Sequence, residues 1–383
     1  MAQRSPDIMK AFRFLFEAFV RMLTGTSNAV KEKKFFDMTG LSLLEGRYRL
    51  HKEVSGGKSS TGFFGVDEET GRDVFVKFCI FPRSELERAR FRNEASFLKE
   101  RALFNGIIKK TPEYLADGEL FDGKILYLVT ERIHGTLLLD WFGEKFCNAS
   151  LIDRLTVAYR VFGAAEHFSM FVTHRDLHPG NIILLNEDID LHSKRPDYKT
   201  IILDWGQSYS RMHFEYSEND SDDMVTIHNG IGREITNSFY NLPPETFIDW
   251  EASGSEYNKY DSWAMGLLLY KLVTGKDLFS FKNIGEYAAA QKRIEWEVKF
   301  GLFDLSAYAA SAAPILSALI VRLLRKDPKD RIFIQEARHA LWFILVEDFM
   351  PSDFGMIQRF LDAPNYFDEV EWKHFDSEPF DYF

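Results

Sequence analysis

The residues best suited to chemistry lie at positions 173–181, where the sequence reads T-H-R-D-L-H-P-G-N. Asp176 and Asn181 stand five positions apart, directly before an apolar run at 182–185. A tight loop before a strand can bring both side chains to one place, where the carboxylate accepts a hydroxyl proton and the carboxamide holds a metal ion. The stretch therefore indicates phosphoryl transfer as the candidate reaction.

A second carboxylate follows the next apolar run, since residues 201–203 lead into Asp204-Trp205-Gly206. An Asp at the end of a strand can bridge phosphate oxygens through Mg²⁺. Together the two stretches resemble the H-R-D-x-x-x-x-N catalytic loop and the D-F-G metal loop of protein kinases. Their order and separation are much harder to obtain by chance than either motif alone.

Length and composition are those of a soluble globular protein with a large core, because 45% of the 383 residues are hydrophobic and 27% are charged. No apolar run reaches the roughly eighteen residues of a membrane span, and the first residues lack the order of a signal peptide. Cys79 and Cys147 are too few for a disulfide framework. We therefore expect a reducing, cytoplasmic setting.

The net charge of −11 is concentrated in residues 345–383, which hold ten acidic and two basic residues and so contribute −8. The rest of the chain is nearly balanced, which argues against nucleic-acid binding. The same stretch is rich in aromatic residues, which are rare in disordered tails. We expect an acidic aromatic C-terminal extension that packs on the body of the protein.

Residues 1–45 are expected to form an N-terminal amphipathic helix and a linker. Apolar residues recur at helical spacing from Ile8 to Met22, with basic and acidic residues on the opposite side. The pattern favours a helix docked on the protein or on a second copy, and membrane contact through residues 6–23 is the alternative. The oligomeric state stays open.

The pattern of residues 46–344 predicts an α+β fold with a β-rich N-lobe at 46–130, a hinge at 131–135 and a helical C-lobe at 136–344. Alternating strands are expected at 48–55, 61–67 and 73–81, with a further strand at 124–130 and a helix at 84–104. The resemblance to protein kinases covers this whole range and implies their bilobal fold.

Lys77 ends the alternating run 74–77, so that it shares one face of the strand with Phe75. A lysine there needs an anion, and Glu94 on the following helix is the best placed, with Glu87 and Glu100 as competitors. The resemblance implies that Glu94 holds Lys77 against the α- and β-phosphates of a nucleotide.

The loop before this strand contains Gly56, Gly57, Lys58 and Ser59, whose backbone N–H groups can lie over phosphates. Only Gly57 matches the glycine-rich loop of protein kinases. By the same alignment Gly62 replaces the valine that covers the adenine, and Phe75 replaces an alanine. Either the two volume changes offset each other, or the ring leaves no room for adenine.

The stretch from Leu128 to Gly135 resembles the connection between kinase lobes. The resemblance implies that Thr130 is the gatekeeper residue, at the back of the nucleotide site. It also implies that backbone groups of Glu131 and Ile133 face the edge of the adenine.

In the catalytic loop, the resemblance implies that Asp176 orients and deprotonates the acceptor hydroxyl, and that Asn181 and Asp204 hold Mg²⁺. His178 stands where Ser/Thr kinases carry a lysine, and small-molecule kinases of the same superfold commonly show this histidine. Arg175 is the residue that grips a phosphate on the activation segment in many kinases. An acidic cluster at 215–223 could pair with it without phosphorylation.

Three later motifs distinguish protein kinases from small-molecule kinases. Residues 237–245 resemble the end of an activation segment, with Ser238 at the position that touches the catalytic Asp. Asp261 begins a stretch that resembles the D-x-W-x-x-G motif, and the resemblance implies that this Asp braces the catalytic loop. Residues 323–331 match the L-L-x-x-D-P-x-x-R motif. The resemblance implies a buried ion pair between Glu245 and Arg331, whereas aminoglycoside and choline kinases lack this region.

These patterns predict an ATP- and Mg²⁺-dependent protein kinase that acts on serine or threonine of a protein substrate. A small-molecule phosphotransferase and a pseudokinase scaffold, which Phe75 and the altered glycine loop suggest, stay open as alternatives.

Overall fold

The computed structural model describes residues 41–54, 60–102, 109–169, 172–185, 200–210, 241–248, 259–279, 281–293, 305–309 and 312–346. Several predicted features lie outside these residues: the N-terminal helix, the loop with Gly56, Gly57, Lys58 and Ser59, the acidic cluster, Ser238, and all but the first residues of the C-terminal extension.

The chain divides into two compact units, one within Met1–Asn105 and Pro112–Ile133 and the other within Gly106–Thr111 and His134–Phe383. The first is built on an antiparallel sheet and the second mainly on helices. This confirms the predicted α+β class, with a β-rich N-terminal part and a helical C-terminal part.

The first unit contains a six-stranded antiparallel sheet and one long helix, α1, at Glu85–Ala102. The strands follow the order β1-β2-β3-β4-β6-β5 in the sheet. They are β1 Leu43–Leu44, β2 Tyr48–Val54, β3 Thr61–Asp67, β4 Asp73–Ile80, β5 Tyr114–Leu120 and β6 Ile125–Glu131.

Alternation along β4 creates the core of this unit. Val74, Val76 and Phe78 are fully buried against Phe63 of β3 and Val129 of β6, whereas the residues between them lie on the other face. Period-two patterning thus buries one face of the sheet and leaves the other for α1 and for the candidate site.

Two strands of the first unit were not predicted. β1 lies inside the stretch expected to be a linker, where Leu44 is buried and pairs with Tyr48. β5 contains Asp117, Gly118 and Glu119, which are poor strand formers. This strand forms because it lies at the edge of the sheet, where one side bonds to β6 and none of its residues is buried.

Helices make up most of the described part of the second unit. They are α2 Leu138–Glu144, α3 Leu151–Ser169, α4 Glu245–Ile248, α5 Tyr260–Thr274, α6 Ile284–Arg293, α7 Ser306–Ala309, α8 Ala313–Leu323 and α9 Ile334–Val346. Within the described ranges, no helix has both the length and the apolar character that crossing a membrane requires.

Short strands of the second unit flank the predicted catalytic and metal loops. They are β7 Gly135–Leu137, β8 Val172–Thr173, β9 Ile182–Leu185, β10 Thr200–Ile202 and β11 Tyr209–Ser210. β9 lies between β7 and β10, and β8 pairs with β11. The two pairings bring the ends of both loops to neighbouring backbone positions.

A buried ion pair joins α4 to the turn before α9, as predicted. Both guanidinium N–H groups of Arg331 donate to the carboxylate of Glu245 at 2.6 Å, and the carbonyls of Arg325 and Lys326 accept further bonds. The guanidinium also lies 5.4 Å from the ring centre of Trp263, and none of the Arg331 side chain is exposed. Arg331 thus joins α4, α5 and the turn before α9.

We expect Glu245→Ala to lower the free energy of unfolding by about 3–5 kcal/mol, because it leaves the charge of Arg331 buried without its partner. Asp277→Ala is the control: Asp277 pairs with Lys271 at 2.8 Å but is 69% exposed, so its loss is expected to cost no more than about 1 kcal/mol. Urea unfolding of both variants checks this, and equal losses would contradict it.

Candidate active site

Lys77 and Glu94 meet in the first unit. The ammonium nitrogen of Lys77 on β4 lies 2.7 Å from a carboxylate oxygen of Glu94 on α1, and the two side chains are 17% and 8% exposed. Glu87, one of the competitors, accepts bonds from the backbone and guanidinium of Arg83 instead. Most of the cation's surface is therefore withdrawn from water beside one carboxylate, an arrangement that can present an ammonium group to a phosphate.

Phe75 lies on the same face of β4 as Lys77, and its ring lies across Gly62 of β3. A Cβ atom added at Gly62 would be 2.6 Å from Cζ of Phe75. The ring therefore takes the space that a side chain at position 62 would fill. Of the two alternatives left by the sequence, the geometry favours the one in which the two volume changes offset each other.

The predicted adenine-edge segment ends the first unit. Thr130 is buried and its hydroxyl donates to the carbonyl of Glu131 at 3.2 Å. The N–H of Glu131 donates to the carbonyl of Glu113 at 3.0 Å, and its carboxylate accepts the N–H of Glu113. Ile133 is half-buried at the end of the unit.

In the second unit, Asp261 at the start of α5 fixes the catalytic loop. Its two carboxylate oxygens accept the backbone N–H groups of His174 at 2.6 Å and Arg175 at 2.9 Å. Burial raises the pKa of Asp261, while His174 and Arg175 oppose that rise. The carboxylate thus satisfies two buried donors in a loop that has no ladder to satisfy them.

His174 links the catalytic loop to the metal loop. Its Nε2 lies 2.9 Å from the carbonyl of Leu203, and its Nδ1 accepts the N–H of Asp176 at 3.2 Å. The ring is therefore the tautomer with hydrogen on Nε2, because Nδ1 is already an acceptor. This one imidazole sets the backbone of Asp176 relative to the residue before Asp204.

Asp176, Asn181 and Asp204 are brought together by backbone contacts. The side-chain amide nitrogen of Asn181 donates to the backbone carbonyl of Asp176 at 2.9 Å. The backbone carbonyl of Asn181 accepts the N–H of Leu203 at 2.8 Å. Asp204 adopts left-handed backbone angles, with φ of 59° and ψ of 70°. Such angles are uncommon outside glycine and persist where the surroundings determine them, often at functional sites.

The residues at this place fit Mg²⁺. With its amide nitrogen bonded to Asp176, Asn181 has its oxygen as the remaining side-chain donor atom, and Asp204 supplies carboxylate oxygens. Mg²⁺ prefers oxygen ligands and is commonly held by one or two protein groups together with phosphates. No group of three His, Cys, Asp or Glu side chains suited to a metal occurs among the described residues.

The side chain of His178 stabilises the catalytic loop. Its Nδ1 accepts the N–H of Gly180 at 3.1 Å and caps the turn Pro179–Asn181, while its Nε2 is 3.9 Å from a carboxylate oxygen of Asp176. Burial lowers the pKa of His178, and the carboxylates of Asp176 and Asp204 only partly oppose this. The imidazole is thus biased to its neutral form.

Arg175 is buried, and its backbone adopts a left-handed conformation with φ of 67°. Its guanidinium lies 4.5 Å from the ring centre of Tyr209 on β11. The sequence reasoning missed Tyr209, since only the pairing of β8 with β11 brings it here.

Trp205, in the metal loop, was recognised only as part of a motif. It is 1% exposed and packs edge-on against Phe168 at 4.6 Å and His174 at 4.5 Å, measured between ring centres. Its indole N–H donates to the carbonyl of Ile202. The ring thus anchors the loop that carries Asp204 in the body of the second unit.

Comparisons with known proteins agree with this arrangement. A family model described as the protein kinase domain matches residues 48–343. A probable serine/threonine-protein kinase of Dictyostelium discoideum is 26% identical over 320 residues, 82% of this chain and 32% of that protein. Calcium-dependent protein kinase 29 of Arabidopsis thaliana is 25% identical over 311 residues, 78% and 49% of the two chains. Serine/threonine-protein kinase PknA of a Nostoc species is 24% identical over 302 residues, 76% and 45%. The chain spans about a third to a half of the length of these relatives.

Acid is expected to destabilise the protein partly through His178. Because the folded state lowers the pKa of His178, its contribution is complete above the ordinary value of about 6.5 and is lost as pH falls through the lowered value. His178→Asn keeps an acceptor for Gly180 without titrating. Denaturant unfolding at pH values from about 7.5 to 5 should show a smaller loss for the variant than for the wild type. Equal losses would contradict this role.

Proposed function

Because this chain belongs to the protein kinase family, we propose that it transfers the γ-phosphate of ATP to a serine or threonine hydroxyl of a protein substrate. The observation that carries the proposal is the constrained loop in which Asp261 and His174 hold Asp176 beside Asn181 and Leu203. The names of the serine/threonine kinases among its relatives support the choice of acceptor.

Asp176 is the proposed catalytic base. Its carboxylate accepts a hydrogen bond from the acceptor hydroxyl and takes the proton as that oxygen bonds to the γ-phosphorus. Its backbone is fixed on both sides, because its N–H donates to His174 and its carbonyl accepts from Asn181. Such fixed geometry supplies the alignment on which phosphoryl transfer mainly depends.

Asn181 and Asp204 are the proposed Mg²⁺ ligands. When bound, Mg²⁺ neutralises charge on the phosphate oxygens as the bond to the leaving group breaks. The chain's own part is to aim the oxygens of the two side chains to one side, through the Leu203–Asn181 backbone bond and the left-handed turn at Asp204.

Lys77 is the proposed ligand of the α- and β-phosphates, with Glu94 as its positioning residue. The pair is mostly buried, so that the side chain of Lys77 has little freedom to leave it. A preoriented ammonium loses less conformational entropy on binding phosphate than an exposed lysine does. Glu94 therefore acts through Lys77.

Two observations favour a protein substrate over a small molecule. The family match continues to residue 343, through the helices that follow the activation segment. The buried Glu245–Arg331 pair also fixes the end of that segment. We propose a cytoplasmic location as well, since neither cysteine is part of a disulfide.

Asp176→Asn should reduce kcat by at least about a hundredfold and leave the Kd for MgATP within a few-fold of the wild type, because the base acts in the chemical step. Phosphate transfer to a peptide library and calorimetric ATP binding measure the two effects. Asp140→Asn, an exposed carboxylate on α2, is the control and should change neither. Full activity of Asp176→Asn would exclude it as the base.

Glu94→Gln should weaken MgATP binding and lower kcat/KM by roughly tenfold or more, because the amide no longer neutralises and orients Lys77. Glu87→Gln is a matched control on the same helix: it is equally buried but pairs with Arg83. That variant should lose stability without loss of ATP affinity. Equal effects of the two changes on Kd would refute a special role for Glu94.

A further inference from the structure

The ring of Phe75 lies on the face of the first unit's sheet that also carries Lys77. Val74, Val76 and Phe78 point into the core, so that Phe75 and Lys77 share the opposite face. Phe75 is only half-buried. On this face the phenyl ring does not contribute to the hydrophobic core, which lies on the other side of the sheet. The ring leaves apolar surface accessible beside the Lys77–Glu94 ion pair. Apolar surface next to a few polar groups is typical of a ligand site.

Gly62 and the ring form a size-matched pair. Gly62 lies directly opposite Lys77 in the register of β3 and β4, which makes it the diagonal neighbour of Phe75. A Cβ atom at position 62 would lie 2.6 Å from Cζ and 2.7 Å from Cε2 of the ring. The ring can cover β3 only because position 62 is glycine.

Neighbouring side chains keep the ring in place. The ring of Phe64 meets that of Phe75 at an angle of 60° with 6.0 Å between centres, and the guanidinium of Arg132 lies 4.0 Å over Phe64. Buried Thr130 stands opposite Phe75 on β6. The aromatic surface is therefore fixed before any ligand arrives, which lowers the entropic cost of binding.

We propose that the ring of Phe75 is the platform on which the base of the bound nucleotide stacks, an inference that rests on the proposed binding of phosphates by Lys77. Residues 75 and 77 are separated along the strand by roughly 6.5 Å, a span of the order of the ribose that separates a base from its α-phosphate. Every base has a π-face, so this contact holds adenine and guanine alike. Selectivity between them must come from hydrogen bonds elsewhere.

The test compares three probes, MgATP, MgGTP and magnesium tripolyphosphate, which has no base. Calorimetry gives the Kd of each for the wild-type chain, Phe75→Leu and Phe75→Tyr. Phe75→Leu should weaken ATP and GTP by roughly 5- to 100-fold and leave tripolyphosphate unchanged, whereas Phe75→Tyr, which keeps the ring, should stay within a few-fold. Phe63→Leu, on the core face of β3, is the control and should lower thermal stability without changing any Kd.

A double-mutant cycle tests the size match independently. Gly62→Val should weaken ATP binding by forcing the ring aside, and adding Phe75→Ala should recover part of that loss. Additive losses in the cycle would overturn the pairing of the two positions.

The outcomes separate this inference from the proposed function. If Phe75→Leu binds ATP as tightly as the wild type or more tightly, the platform is refuted while nucleotide binding stands. If only Phe75→Leu binds ATP, the ring is a plug, and the platform is equally refuted. If neither protein binds ATP but both are folded, the proposed function itself fails.

Discussion

The carboxylate of Asp261 is the constraint on which the candidate chemistry of the second unit depends. A loop that leaves β8 and passes through a left-handed residue at Arg175 cannot satisfy its own backbone N–H groups. Asp261, in the first turn of α5, accepts two of them, and each would cost about 1–3 kcal/mol if buried without a partner. The backbone strain at Arg175 persists because these bonds determine it. The buried carboxylate of Asp261, which has no proposed catalytic role itself, thus fixes the position of Asp176.

From that point a short series of contacts leads to the metal loop. His174 is fixed by Asp261 through its backbone and by Leu203 through its ring, and the ring packs on Trp205. Asn181 closes the series, since it bonds to the carbonyl of Asp176 and to the N–H of Leu203. The first unit solves a comparable problem with an ion pair, where Glu94 holds Lys77 at the surface of the sheet that also carries Phe75. In both units, buried groups set the position of groups that remain accessible to a ligand.

Local patterns predicted what local chemistry determines. The alternation of β4, the helix at α1 and the Lys77–Glu94 pair follow from residue period and from the nearness of the two elements in the chain. The Glu245–Arg331 pair joins residues 86 positions apart, and only the resemblance to protein kinases predicted it. The edge strand β5 was missed because its polar residues are tolerated only by its place in the sheet. The contact of Arg175 with Tyr209 depends on strand pairing over more than thirty positions. For Phe75, residue volumes alone allowed two outcomes, and only the register that places the ring across Gly62 distinguishes them.

The activity proposed for this chain is phosphoryl transfer from ATP to protein. The most direct measurement is mass spectrometry of a serine-, threonine- and tyrosine-containing protein mixture after incubation with the purified chain, ATP and Mg²⁺, with a parallel sample in which EDTA removes the metal. The account predicts new phosphate on serine and threonine in the first sample and none in the second. A folded chain that binds MgATP yet leaves both samples identical would contradict it.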